Sequence, residues 1–152
     1  MDGTSLTNDQ VTKLQAFMDK VGALDPTYNT QGFLCFEKIF AIAPEALQLY
    51  PFKDDSGDEY KSKLSKHASG LFRTLHKGIK GWGTKENDEF FTQLGSRHVG
   101  YSVIVPHFEI VGMAIVETLQ DLMKAKFSPE LQDVWKTYYT IIVDKMQKGN
   151  YY

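Results

Sequence analysis

The chain predicts an all-α domain of seven to eight helices. Apolar residues recur at three- and four-residue spacing through nearly every block between Gly, Pro and polar clusters. No block alternates with period two over a useful length, and Val103-Ile104-Val105, although β-prone, is too short to found a sheet. The expected helices are uneven in length, which argues against a simple four-helix bundle.

Thr7-Asn8-Asp9-Gln10 reads as a capping box. Val11, Leu14, Phe17, Met18 and Val21 follow at helical spacing, and Gly22 is the expected stop. Asp25-Pro26 opens a second segment whose inner face is Phe33, Phe36, Ile39 and Phe40. Pro44 ends that segment and starts a short helix to Leu49. Tyr50 to Gly57 reads as a loop, followed by a long helix from about Asp58 to Lys80 with an inward stripe of Leu64, His67/Ala68, Leu71, Leu75 and Ile79. Gly81-Trp82-Gly83 breaks it. A shorter helix runs from about Glu86 to Arg97 or His98, with Phe91, Leu94 and His98 on one face. Pro106 begins a helix carrying Val111, Ala114, Ile115, Leu119, Leu122 and Met123. Ser128-Pro129-Glu130 caps the last, which carries Leu131, Val134, Trp135, Tyr138, Ile142 and Met146 and ends at Gly149.

A length of 152 residues predicts one domain over 1–152, with an ordered core of about 6–149. No repeat, linker or low-complexity tract divides it. Net charge is −2, so there is no basic excess for an electrostatic nucleic-acid binder. The aromatic share of 13% suits either a filled core or a large pocket. The single cysteine, Cys35, excludes an intramolecular disulfide and any multi-thiolate metal site, and its apolar neighbours place it in the core. Residues 1–4 are polar and position 2 is Asp, so neither a signal peptide nor N-myristoylation is expected. No run is long enough for a membrane span. The expectation is a cytoplasmic protein without membrane partners.

The four histidines hold the unusual signal. His67 and His98 fall on apolar helix faces. His76 is half a turn out of phase with His67 and is expected to face solvent. His107 reads as a surface or interhelical residue. For either inward histidine alone, the ordinary reading is a core imidazole hydrogen-bonded to backbone. Two of them, on consecutive helices joined by a Gly-broken corner, could face each other across a slot. Spacings for zinc are absent, and two imidazoles are too few for a closed tetrahedral site. A planar cofactor with its own four equatorial ligands needs only one or two axial imidazoles. Haem fits that description, and without Cys-x-x-Cys-His it would be held noncovalently. Phosphate-loop, nucleophile-elbow and dinucleotide fingerprints are missing. The acidic run Asp54, Asp55, Asp58, Glu59 lacks Ca-loop spacing and reads as a solvated loop and helix start.

From about Leu6 to Gly149 the chain resembles a globin. The resemblance rests on Phe36-Glu-Lys-Ile-Phe40-Ala-Ile-Ala-Pro44, on His67 and Leu71, and on Leu94-Gly-Ser-Arg-His98-Val-Gly100. Phe108 with Val111, and Trp135 with Tyr138/Tyr139, complete it. In detail it is similar to animal neuroglobin-like and cytoglobin-like chains. The resemblance implies the globin fold around haem b, with helices crossing near about 50°. It makes His98 the proximal iron ligand and His67 the distal histidine, with His67 as a sixth ligand if the iron is bis-histidine coordinated. It places Phe36, Leu71, Leu94, Val103, Phe108 and Val111 against the haem. Two positions depart from the family pattern. The corner phenylalanine falls on Tyr50, with Phe52 as the substitute if the loop shifts. The basic residue three after the distal histidine is Gly70, leaving Lys63, Lys66 or Arg97 to supply that charge.

The implied function is reversible binding of dioxygen or another diatomic ligand at ferrous iron, for storage, transport or sensing. An N–H of His67 would donate to the bound ligand. The chain is expected not to be an enzyme in the first instance, and to act as a monomer or weak homo-oligomer. The alternative is a globin-fold enzyme with nitric oxide dioxygenase or nitrite reductase activity, which needs an electron donor as partner.

Overall fold

Helix starts and stops follow local chemistry along the chain. The structure, a computed structural model, describes residues 5–49, 54–100 and 105–150, and side chains for 5–46, 54–94 and 108–147. Six α-helices run in the order α1 (Asn8–Leu24), α2 (Asn29–Ile42), α3 (Gly57–Lys80), α4 (Lys85–Gly100), α5 (Val105–Met123) and α6 (Pro129–Asn150). Two 3-10 segments, Pro44–Leu49 and Lys124–Lys126, complete the eight helical pieces. No strand occurs among the described residues. Among those residues no helix is long and apolar enough to cross a membrane.

The capping box forms at the N-terminus of α1: Gln10 N–H donates to Thr7 Oγ1 at 3.1 Å and Thr7 N–H to Gln10 Oε1 at 2.9 Å. Gly22 does not stop this helix, which continues to Leu24. Its smallness serves a close approach instead, since a Cβ there would lie 2.5 Å from the Tyr28 hydroxyl. The stop comes from Asp25, whose carboxylate accepts from the backbone N–H and hydroxyl of both Thr27 and Thr30. Tyr28 follows at φ 64°, and buried Gln31 donates to Val21 and Asp25 carbonyls, tying the end of α1 to the start of α2. At α6, Ser128 Oγ accepts from Leu131 N–H at 3.2 Å.

The most extensive packing joins α2 to α3 and α4 to α6. In the second pair, Trp135 and Tyr138 of α6 are fully buried with Phe91 of α4, and the Tyr138 hydroxyl donates to the Leu75 carbonyl of α3 at 2.7 Å. Leu14 and Met18 of α1, with Ile115 and Leu119 of α5, fill the centre. Cys35 is buried and hydrogen-bonded to Thr118, and desolvation pushes its thiol up to about 12, far from thiolate chemistry.

The α2–α3 pair approaches closest at Gly32. A Cβ on that residue would lie 2.5 Å from both the carbonyl carbon and the oxygen of Ala68. Those atoms are backbone and cannot rotate aside. Gly32→Ala should therefore destabilise the fold although helix propensity alone would favour Ala by about 1 kcal/mol. Overpacking costs roughly 1–3 kcal/mol, so the urea midpoint is expected to fall; a midpoint that rises would show that the two helices part there without cost.

Asp25 gives a pH prediction. The side-chain hydrogen bond from Thr27, then those from Thr30, lower its pKa from 3.8 to about 2. A folded value below the unfolded one stabilises the native state above the unfolded value, and that contribution is lost as pH falls through the folded one. The stability difference between the parent and Asp25→Asn should be full at neutral pH and close between about pH 4 and about pH 2. Urea titrations at stepped pH measure it, and a difference that stays constant into acid would contradict the assignment.

Candidate functional site

The buried stripe of α3 is Leu64, Ala68, Phe72, Leu75 and Ile79. At 3.6 residues per turn, His67 and Leu71 stand on one flank of that stripe. His67 is thus exposed rather than inward, a correction to the expected core histidine. Its neighbour Ala68 takes the central position, where its backbone lies against Gly32 of α2. Leu71, expected in the stripe, is half-buried at its margin.

One turn after Gly32, α2 presents Phe36, which is buried. Its ring meets the His67 imidazole edge-on, with centroids 5.6 Å apart and planes at 90°. Phe40 packs on the other side of Phe36 at 5.9 Å and 69°. Edge-to-face ring pairs are worth about 0.5–1.5 kcal/mol beyond their area, so Phe36 holds the imidazole's position as well as covering it.

The other expected site residues lie on α4 and α5. Leu94 and Val111 are half-buried against the core, and Phe108 is buried. The Phe108 carbonyl accepts from the Tyr139 hydroxyl at 2.6 Å, which joins α5 to α6 beside the site. His98 is on α4, one turn after Leu94, and its side chain lies outside the described residues. So do the side chain of His107 and the whole of Tyr50, Phe52 and Val103. The structure therefore brings Phe36 and His67 together in direct contact, and places Leu71, Leu94, Phe108 and Val111 on elements packed around the same core.

These residues fit haem on their own chemistry. Histidines fall on both α3 and α4, at His67 and His98, and the apolar faces of Leu71, Leu94 and Val111 remain partly accessible beside buried Phe36 and Phe108. A planar apolar group with axial sites needs that combination of one or two nitrogen donors and hydrocarbon walls.

Sequence reasoning missed one polar cluster. His76 does lie half a turn from His67, but that flank is covered by α1 and the α1–α2 corner rather than by solvent. His76 Nε2 contacts Asp19 Oδ1 at 2.6 Å, and Nδ1 contacts the Tyr28 hydroxyl. Asp19 also pairs with Lys80 at 3.2 Å. The hydrogen bond from His76 is the main cause holding the Asp19 carboxyl below its ordinary pKa, and burial raises that of the Tyr28 phenol. The available signal was Gly22, whose missing side chain makes room for Tyr28.

The globin family model matches residues 34–146. The chain is 29% identical over 150 residues to the anaerobic nitrite reductase HBII of Casuarina glauca, covering 94% of this chain and 91% of that one. It is 33% identical over 118 residues to the anaerobic nitrite reductase NSHB5 of Oryza sativa subsp. indica, covering 75% and 79%. Leghemoglobin-1 of Lupinus luteus is 30% identical over 151 residues, covering 94% and 96%. Among solved structures, the deoxy form of hemoglobin from Mustelus griseus superposes with a TM-score of 0.76 at 18% identity, covering 97% and 99%.

Two expectations are corrected. The relatives at this level of identity are plant globins, which moves the detailed resemblance away from neuroglobin-like and cytoglobin-like animal chains. The expectation that the chain is not an enzyme is overturned by relatives named as nitrite reductases. With the family model spanning most of its length and the α2–α3–α4 framework in place, the chain belongs to the globin family, whose members bind small ligands at haem.

Proposed function

We propose that this chain is a cytoplasmic, single-domain haem b protein that binds dioxygen or another diatomic ligand and reduces nitrite to nitric oxide. The observation that carries the proposal is the edge-on contact of His67 with buried Phe36. It sets an imidazole beside an apolar wall, in a chain similar to proteins named as nitrite reductases and to a leghemoglobin.

Haem, when bound, supplies the redox-active iron. His98 on α4 would hold it, with His67 as the second imidazole. Leu71, Leu94, Val103, Phe108 and Val111 would supply its walls, and Tyr50, or Phe52 in its place, the corner aromatic. Attachment is noncovalent, since Cys35 is the sole cysteine and is buried on α2. An outside electron donor completes the set of partners.

Reducing one nitrite to nitric oxide takes one electron and two protons and releases water. The chain's own part is to hold the anion and deliver a proton. A His67 N–H donates to an oxygen of nitrite or of a diatomic ligand, and hydrogen bonds to charged acceptors are worth about 1.5–3 kcal/mol. As a titratable group near neutrality, an imidazole also passes that proton on and recovers another from water. Phe36 and Leu71 exclude bulk water from the opposite side.

Two outcomes are expected. His98→Ala should lose most bound haem while the chain stays helical, as read by the Soret-to-protein absorbance ratio and circular dichroism; full occupancy would move the axial ligand elsewhere. His67→Leu should slow anaerobic nitrite reduction by about tenfold or more, in line with the loss of a general acid. His67→Gln, which keeps a donor but carries no titratable proton, should restore ligand retention without restoring the rate's rise in acid. A parent-like rate and pH profile in His67→Leu would remove the proton-delivery role.

A further inference from the structure

The flank of α3 opposite His67 carries a second feature. Between α3 and the turn before α2 lies a hollow of about 690 Å³. Lys61, Lys66 and Arg73 contribute its charge, and Ser65, Ser69 and Thr27 contribute hydroxyls. Among the described residues, no carboxylate lines it.

What distinguishes this cluster is that three cations share one hollow; Lys20, Lys77, Lys124, Lys126 and Lys136 also make no ion pair among the described residues, but none of them lines it. Lys13, Lys38, Lys63, Lys80, Lys85 and Lys145 each pair with an Asp or Glu. Among the described residues, no carboxylate pairs with Lys61, Lys66 or Arg73. Arg73 is instead oriented by neutral acceptors, with Nη2 3.3 Å from the Thr27 carbonyl and 3.3 Å from Ser69 Oγ. Those contacts fix the guanidinium while leaving its charge and remaining donors unspent. The corner's acid, Asp25, commits both carboxylate oxygens to Thr27 and Thr30. In a chain of net charge −2, three unpaired cations sharing one hydroxyl-lined hollow are not explained by general basicity.

We infer that this hollow binds a multiply phosphorylated anion. The planar fork of Arg73 matches a phosphate edge in a two-point contact, the two lysines supply mobile point charges, and the serine hydroxyls donate to further phosphate oxygens. A single carboxylate would leave most of these donors unused. A free polyphosphate and a phosphoinositide headgroup present the same chemistry. The inference stands apart from the haem reaction, because the hollow and His67 occupy opposite flanks of α3.

The test titrates the haem-loaded full chain with sodium triphosphate at low ionic strength by calorimetry. Saturable one-site binding is expected, weakening as salt screens it. The variant Lys61→Gln/Lys66→Gln/Arg73→Gln changes exposed side chains and should bind about tenfold or more weakly, the loss of more than one charge-assisted hydrogen bond. The control Lys13→Gln/Lys80→Gln/Lys85→Gln removes equal charge elsewhere and should bind within about twofold of the parent. A second arm spins the chain with phosphatidylcholine vesicles, with and without phosphatidylinositol 4-phosphate. Co-sedimentation that needs the phosphoinositide and the three cations assigns the headgroup as source; triphosphate binding without it assigns a free ligand. Equal weakening in both variants, equal binding of polyglutamate, or no binding in either arm overturns the inference.

Discussion

The meeting of α2 and α3, backbone against backbone at Gly32 and Ala68, is the constraint on which the site depends. Two helices bearing side chains at their crossing stand about 8–10 Å apart at their axes. A glycine opposite an alanine lets the pair close further, to a distance at which even a Cβ on Gly32 would collide. The consequence is local and specific. Phe36 is one turn beyond Gly32, and His67 is one residue before Ala68, so the same crossing that excludes a methyl group brings those two rings edge to face. A wider crossing would leave the imidazole without a wall.

The far half of α3 is held by a second close approach built from different chemistry. Gly22 of α1 yields space to Tyr28, and His76 of α3 reaches both the Tyr28 hydroxyl and the Asp19 carboxylate. An imidazole that donates from Nε2 to a carboxylate keeps its Nδ1 lone pair for a hydroxyl donor, so the three groups satisfy one another in order. Tyr28 also stacks on buried Phe72 at 6.5 Å, which continues the contact into the core. An apolar crossing near the site and a polar clamp away from it together fix the line of α3, and with it the flank on which His67 stands.

Much of this was legible in one dimension, because helix periodicity and cap chemistry are local. The Thr7 box, the Ser128 cap, the Pro44–Leu49 turn and the long helix ending before Gly81-Trp82-Gly83 all follow from residues within a few positions of each other. Phase was legible too: His76 does oppose His67. What periodicity could not supply was the neighbour on each flank. Periodicity sends His76 to solvent because nothing at residue 76 announces that residues 19 and 28 arrive there. It sends His67 to the core because a wheel cannot show that α2 meets α3 at Ala68. Gly22 reads as a stop because a glycine that ends a helix and one that admits a ring look alike in sequence. The contacts behind residues 67 and 76 join parts of the chain dozens of positions apart, and the ring that Gly22 admits arrives only after the chain has turned a corner.

The charges of α3 decide what kind of grip this helix can have on a haem group. The position three after His67 is Gly70, and a side chain there would meet nothing within 4 Å. Space is therefore not the reason a basic residue is missing. Lys63 does not replace it, because Asp55 at 2.8 Å and Glu59 at 3.1 Å already neutralise it. Lys66 lines the hollow with Arg73 and the serines instead of joining the His67 flank. So α3 offers the site an imidazole and hydrocarbon, while Lys63 and Lys80 pair with acids, Lys77 lies over the Phe90 ring, and Lys61, Lys66 and Arg73 line the hollow. On the proposed reading, a helix arranged this way would hold an apolar ring by contact and by nitrogen donation, leaving carboxylate groups at its rim to water or to other elements. The cation that a family pattern would place at residue 70 has no counterpart among the described lysines on that flank, while the other flank has three cations with which no carboxylate pairs among the described residues.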